Sequence, residues 1–254
     1  MRPIVIFFHV FPWKKYQEIV NETCVLLERF GLAAETHKIF FCLVRIKGFY
    51  PCMSGKRRLE IPDTTRLARE RMVLSIPKLG REWETLKILW DFCQDLNEPW
   101  FVLYLHTKGV YRSGRLSDDW RRMMLYFCVE RWQETLSTFD DPTCLAVGCN
   151  LRNKRPARRY SQHFESHGLD ILKAPPMWHY SGNFWWARSE AICSLPDPES
   201  QEARRILTWK GIKVNLASER WIGELGREHL GQIHKSGVDH YTKKYPRSRY
   251  AMDG

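Results

Sequence analysis

The sequence has no Cys-x-x-Cys pair, no Asp-x-Asp, no GxxxxGKS or GxxxxGKT and no GxSxG. Its eight cysteines are scattered, most of them among apolar neighbours as in KIFFCLV and TCLAVGC. A disulfide framework and a Cys-based zinc site are therefore excluded, and buried reduced thiols in a reducing, cytoplasmic compartment are expected. Without a phosphate-binding glycine loop or a nucleophile elbow, P-loop chemistry and serine hydrolysis lose their usual carriers. No apolar run approaches the roughly 20 residues of a membrane span. The N-terminal MRPIVIFFHVFPW is broken by His9 and Pro12 and lacks a small-residue cleavage site, so it reads as a strand and not a signal. His163 and His167 stand four apart and would suit zinc only on a helix, whereas that stretch reads as loop.

Acidic residues are the scarcer charge, 29 against 40 Lys and Arg, and the net charge of +11 favours an anionic partner. The excess gathers partly in Lys56-Arg57-Arg58 and in RNKRPARR, residues 152–159. A composition 44% hydrophobic and 27% charged is that of a globular protein, and 254 residues suffice for one large domain. Eleven Trp exceed what a core needs and suggest aromatic faces for a ligand, sugar rings among them.

Along the chain, Ile4 to Val10 reads as a buried parallel strand and residues 14–30 as a helix ended by Gly31. Lys38 to Ile46 predicts a second strand, 47–63 a loop, Thr64 to Ser75 a basic helix and Glu84 to Asn97 a stronger one. Trp100 to Leu105 is a third strand. Ser117 is placed to cap the next helix, whose inner stripe is Trp120, Met123, Met124, Phe127 and Cys128. Cys144 to Cys149 is a fourth strand, 150–177 a polar loop, Ser189 to Leu195 a short helix and Lys213 to Leu216 a last strand. The tail, 235–254, is expected to be loosely held. Alternation of strands and helices predicts a single α/β domain over 1–254 with a mostly parallel central sheet flanked by helices.

Ligands of open α/β sheets sit at the C-terminal ends of strands. Such an end delivers His106, Thr107 and Lys108 and then turns on Gly109. A lysine about 4 Å from a phosphate oxygen gains roughly 4 kcal/mol at an effective dielectric near 20. His9 closes the first strand in the same way. WHYSGNFWWARSE, residues 178–190, sets Trp178, His179, Tyr180, Trp185 and Trp186 about the turn Ser181-Gly182-Asn183. Those rings, joined by Trp221 further along, predict a stacking platform for a sugar, with His179, Ser181 and Asn183 bonding its hydroxyls and Gly182 letting backbone come close. Glu219 beside Trp221 in SERWIG is a carboxylate whose apolar neighbour would raise its pKa and suit it to proton abstraction.

YLHTKG, DDWRRMM, WHYSGNFWWARSEAICSLP and ASERWIG, in this order and spacing, resemble a family of glycosyltransferase-like proteins of algae and large DNA viruses, including chlorovirus enzymes that build capsid-protein glycans. The resemblance runs from about residue 4 to 225 and implies a GT-A-like nucleotide-sugar fold. It implies a nucleoside-diphosphate sugar donor, a UDP-sugar with UDP-xylose among the candidates, and a glycan or glycoprotein acceptor; a viral member would work in the host cytoplasm. Gly182 to Ser189 resembles the glycine-rich donor segment of galactosyltransferase-type enzymes, and Glu219 to Gly223 is a looser match to the segment that supplies their base. GT-A enzymes usually hold a metal on Asp-x-Asp, absent here. Lys108, helped by His106 or by Arg121 or Arg122, would then neutralise the leaving diphosphate with no cofactor required, a site for Mn2+ or Mg2+ being the alternative. Two rival functions remain: a basic nucleic-acid-binding protein, read from the charge, and a glycan-binding module without turnover.

Overall fold

The computed structural model describes residues 2–45, 69–77, 82–110, 115–154, 177–200 and 214–251. The basic runs at 56–58 and 155–159, the His163/His167 pair and the loop expected over 47–63 lie outside these residues.

The first strand, β1 (Ile4–Val10), is buried at every position, as its unbroken apolar run requires of a central parallel strand. It leads into α1 (Tyr16–Arg29), which ends at Gly31 with φ of 74°, a left-handed stop that glycine takes without strain. A single turn, α2 (Leu32–Glu35), passes to β2 (Thr36–Arg45). Next come β3 (Glu70–Pro77), α3 (Glu82–Gln94), β4 (Phe101–His106) and α4 (Arg115–Leu125). A wider π turn at Tyr126–Glu130 and α5 (Trp132–Ser137) bring the chain to β5 (Ala146–Cys149). Two short strands, β6 (Leu151–Lys154) and β7 (Met177–Tyr180), pair as a separate antiparallel ribbon. The described chain closes with β8 (Trp185–Arg188), α6 (Ser189–Ser194), α7 (Val214–Trp221) and β9 (Leu230–His234).

Seven strands form one sheet in the order β3-β2-β1-β4-β8-β5-β9. β8 runs antiparallel to both its neighbours and the other pairings are parallel. The protein is thus the mixed α/β fold expected, a mostly parallel sheet with helices on both faces. Even-numbered residues of β1 pack with α1, α4 and Trp186; odd-numbered ones pack with α3, Tyr104 and Trp185. From β1 the chain winds outward to β2 and β3, then α3 carries it back to β4 on the opposite side of β1. The crevice between the C-terminal ends of β1 and β4 is therefore the switch point of the sheet.

Several expectations are corrected. Residues 70–75 extend along β2 as an edge strand, because Met72, Leu74 and Ile76 continue the parallel register and the basic side chains there face solvent. Val214 to Leu216 starts a helix, not a strand. Ser117 lies inside the first turn of α4 and is not its cap. Residues 151–154 form a strand. The tail is not loose over its described part: His240 and Tyr245 are buried, and Tyr245 stacks on Tyr250 at 5.7 Å.

Candidate functional site

His9 and His106 are register partners at the ends of β1 and β4, so two imidazoles meet at the switch point on the face covered by α3 and α7. His9 Nδ1 is hydrogen-bonded to Thr85 Oγ1 of α3 at 2.8 Å. His106 donates through Nε2 to the Gly182 carbonyl at 2.7 Å, and its Nδ1 faces Glu82 Oε1 at 3.5 Å. Burial lowers both histidines to about 4; for His9 the neighbouring His106 adds to this against the pull of Glu82, and for His106 the Lys108 cation adds to it against Gly182 and Glu219. Both rings are accordingly neutral at pH 7.

Beyond β4 the chain turns tightly. Thr107 donates its N–H to the His9 carbonyl at 3.1 Å, and its hydroxyl accepts from the Phe11 N–H at 3.0 Å. Gly109, at φ of 86°, packs against Ser117, where a β-carbon would sit 3.0 Å from both Cβ and Oγ. This turn presents Lys108, whose ammonium lies 4.2 Å from the centre of the Trp120 ring and 3.9 Å from Glu219 Oε1. Burial raises the Glu219 carboxyl above the ordinary range; Lys108 opposes the rise and Glu82 adds to it. The neighbouring Trp221 is itself buried, its indole donating to the Pro196 carbonyl at 2.9 Å.

The expected platform is corrected. Tyr180, Trp185, Trp186 and Trp221 are all at most 2% exposed, and each has its polar atom bonded inside the protein. Trp185 stacks on Tyr104 at 5.0 Å, and Trp186 lies on the other face of the sheet among the α4 side chains. These rings are core. Trp178 is half-buried under the Arg227 guanidinium, and His179 is buried in the ribbon. Ser181 and Asn183 are buried too, yet the turn they form does reach the site. Gly182, at φ of 101°, leaves the room that Met124 Sδ and the Trp120 indole occupy, and Asn183, at φ of 56°, points inward.

Arg121 is buried and already engaged: it donates to Glu22 at 2.6 Å, to Asp118 at 2.7 Å and to the Lys108 carbonyl at 3.2 Å. Its two terminal nitrogens are taken up by these partners, so it supports the turn that carries Lys108. Arg122 is exposed and bonded to the other Glu22 oxygen at 2.6 Å. The sequence-predicted residues that converge are thus His9, His106, Thr107, Lys108, Gly109, Gly182, Asn183 and Glu219. Sequence reasoning missed Glu82, Thr85 and Ser218. Glu82 is the hub: Asn183 Nδ2 donates to its Oε2 at 2.7 Å and Ser218 Oγ at 3.2 Å. Its one signal in the sequence is a carboxylate in the first turn of a helix that returns the chain to a central strand. Among the described residues no group of three or more His, Cys, Asp or Glu is arranged to hold a metal ion, and no helix is long and apolar enough to cross a membrane.

A mixed α/β sheet with a partly buried cation–carboxylate pair and two neutral imidazoles at its switch point is the class defined by fold and site. Over residues 52–155 the chain matches the family described as a domain of unknown function, DUF8361. No curated protein matches it. Among solved structures it is similar to the crystal structure of 4-diphosphocytidyl-2C-methyl-D-erythritol synthase from Anaerococcus prevotii DSM 20548, at 8% identity and a TM-score of 0.41, over 96% of this chain and 90% of that one.

Proposed function

We propose that the protein is a glycosyltransferase that moves a sugar from a nucleoside-diphosphate donor, a UDP-sugar, to a hydroxyl of a glycan or glycoprotein. The observation that carries this reading is the Lys108–Glu219 pair, 3.9 Å apart at the mouth of the switch point. One partner is a cation that meets a leaving diphosphate, the other a carboxylate that takes a proton. In the reaction Glu219 accepts the proton of the acceptor hydroxyl, whose oxygen attacks the anomeric carbon from the face opposite the donor oxygen. The new C–O bond forms as the bond to the diphosphate breaks, with inversion. Lys108 stabilises the charge that grows on the departing oxygen, as a bound metal would. The neutral imidazoles of His9 and His106 stand beside the nucleotide without adding charge, His106 holding the Gly182 carbonyl in place. The motif resemblance supplies the donor class, with UDP-xylose among its members.

A thermal-shift screen of UDP-, GDP- and CMP-sugars, each with manganese and with EDTA, tests the reading. A donor at a hundred times its Kd adds about 2.7 kcal/mol of stability and raises Tm by roughly 5 °C or more. The expected result is a rise with one UDP-sugar that persists in EDTA. No response to any nucleotide sugar overturns the proposal.

A further inference from the structure

Glu82 lies 101 residues from Asn183 and 136 from Ser218 in sequence, yet it bonds both and faces His106 as well. The first turn of α3, the end of β4, the turn before β8 and the helix carrying Glu219 all meet on this one carboxylate. Asn183 shows how directed the arrangement is. It is 0% exposed, and its amide is used from both ends: Nδ2 donates to Glu82 while Oδ1 accepts from Trp185 Nε1 at 2.9 Å. Ser218 is the immediate neighbour of Glu219 on α7. A carboxylate held by Ser218 therefore fixes the helix turn on which Glu219 stands.

We infer that Glu82 is the positioning residue of this site: it anchors the Asn183 turn and the Ser218–Glu219 turn to α3 and so fixes where the Glu219 carboxylate stands. Its charge also adds to the rise that burial gives the Glu219 carboxyl. The charged and titratable groups that act on Glu219 are Lys108, 3.9 Å away on the turn after β4, His106 of β4, Glu82 of α3 and Arg220 of its own helix. Glu82 is the anion of that set, opposing the cations Lys108 and Arg220. The charge has local support, since Glu82 occupies the first turn of α3, where the helix dipole favours an anion.

The catalytic meaning of this role rests on Glu219 being the proton acceptor proposed above; the effect on Glu219 ionisation does not. The test follows the Glu219 side-chain carboxyl by 13C NMR across a pH titration in the full chain and in Glu82→Gln, a variant of the same shape that can still bond Asn183. The expected result is a Glu219 midpoint lowered by roughly half a pH unit or more in the variant. In assays with a donor, the acid limb of the rate profile moves down with it. An unchanged midpoint overturns the inference. A second measurement needs no variant: in the unmodified protein the Asn183 side-chain amide, bonded to Glu82, should shift with pH in step with Glu219, and a silent amide overturns the inference equally. If the midpoint moves but no nucleotide sugar is turned over, the role of Glu82 stands and the glycosyltransferase reading falls.

Discussion

The His106 ring donates to the Gly182 carbonyl at 2.7 Å, tying the end of β4 to the turn between β7 and β8. Through that bond the strand that delivers Lys108 and the turn that carries Asn183 behave as one wall of the crevice. Removing the ring should leave the fold standing and loosen the wall. His106→Ala is expected to weaken nucleotide binding and to lose about 1–3 kcal/mol of stability, the cost of a buried carbonyl left without its donor. Urea unfolding read alongside nucleotide titration checks both halves.

Lys108 is the cation at the crevice mouth, and its substitution separates charge from packing. Lys108→Met keeps an apolar side chain over the Trp120 ring, which the ammonium now faces at 4.2 Å. Affinity for UDP should fall about 10- to 100-fold, the worth of one charge-assisted hydrogen bond, with Tm little changed. Isothermal titration measures it, and equal affinity in the variant removes Lys108 from the donor site.

Glu219→Gln keeps the shape of the side chain and removes its capacity to take a proton. A general base contributes about 100- to 10,000-fold to turnover, so kcat should fall by that order while donor affinity is largely kept. A glycan-binding module would not register the change in sugar binding. Loss of donor binding together with turnover would instead mark Glu219 as a binding group.

The pattern of residues made much of this legible. Continuous apolar runs located β1, β2 and β4, and helical spacing located α1 and α3, because each of these elements buries a contiguous face. His9, His106 and Lys108 were found for the same reason: a polar residue that ends a buried strand has few places to be except the sheet edge. The short strands β6 and β7 escaped because four residues carry little periodicity and theirs lack the unbroken apolar run that marks β5, while the WWAR of β8 merged with the aromatic turn before it. The aromatic rings were assigned to a ligand because residue type alone does not say whether an indole meets solvent or, like Trp186, the Cys128 carbonyl. Glu82 was illegible in principle, since everything that makes it a hub is more than twenty positions away and only the return of α3 beneath β4 brings it there.

Acid should destabilise the protein in a defined window. His9 and His106 have folded-state values of about 4 against an ordinary 6.5. The unfolded chain therefore binds more protons between those limits, and stability is complete above about 6.5 and is lost as pH falls toward 4. Burial lowers His240 to about 4 as well, so the three rings together set a slope of up to about 4 kcal/mol per pH unit within the window, and Glu219, whose folded value is raised, opposes it by favouring the protonated native state. Urea midpoints taken from pH 7 to pH 4.5 should fall steadily. A flat profile would mean that these imidazoles charge as freely in the fold as outside it.

Gly223 tests how closely the helix that carries Glu219 is packed on the ribbon. A β-carbon added there would collide with the Trp178 carbonyl of β7, a backbone atom that has no rotamer by which to retreat. The collision can be relieved only by separating β7 from the turn that follows α7, and that turn begins at the buried Ile222, next to the buried Trp221 that ends α7. Gly223→Ala is expected to cost about 1–3 kcal/mol, the usual range for overpacking. It should also cost activity beyond its effect on stability, because shifting α7 draws Ser218 and Glu219 away from Glu82. Denaturation and nucleotide binding measured on the same variant distinguish the two effects. A variant that is less stable but binds and turns over normally would show that α7 moves without disturbing the site.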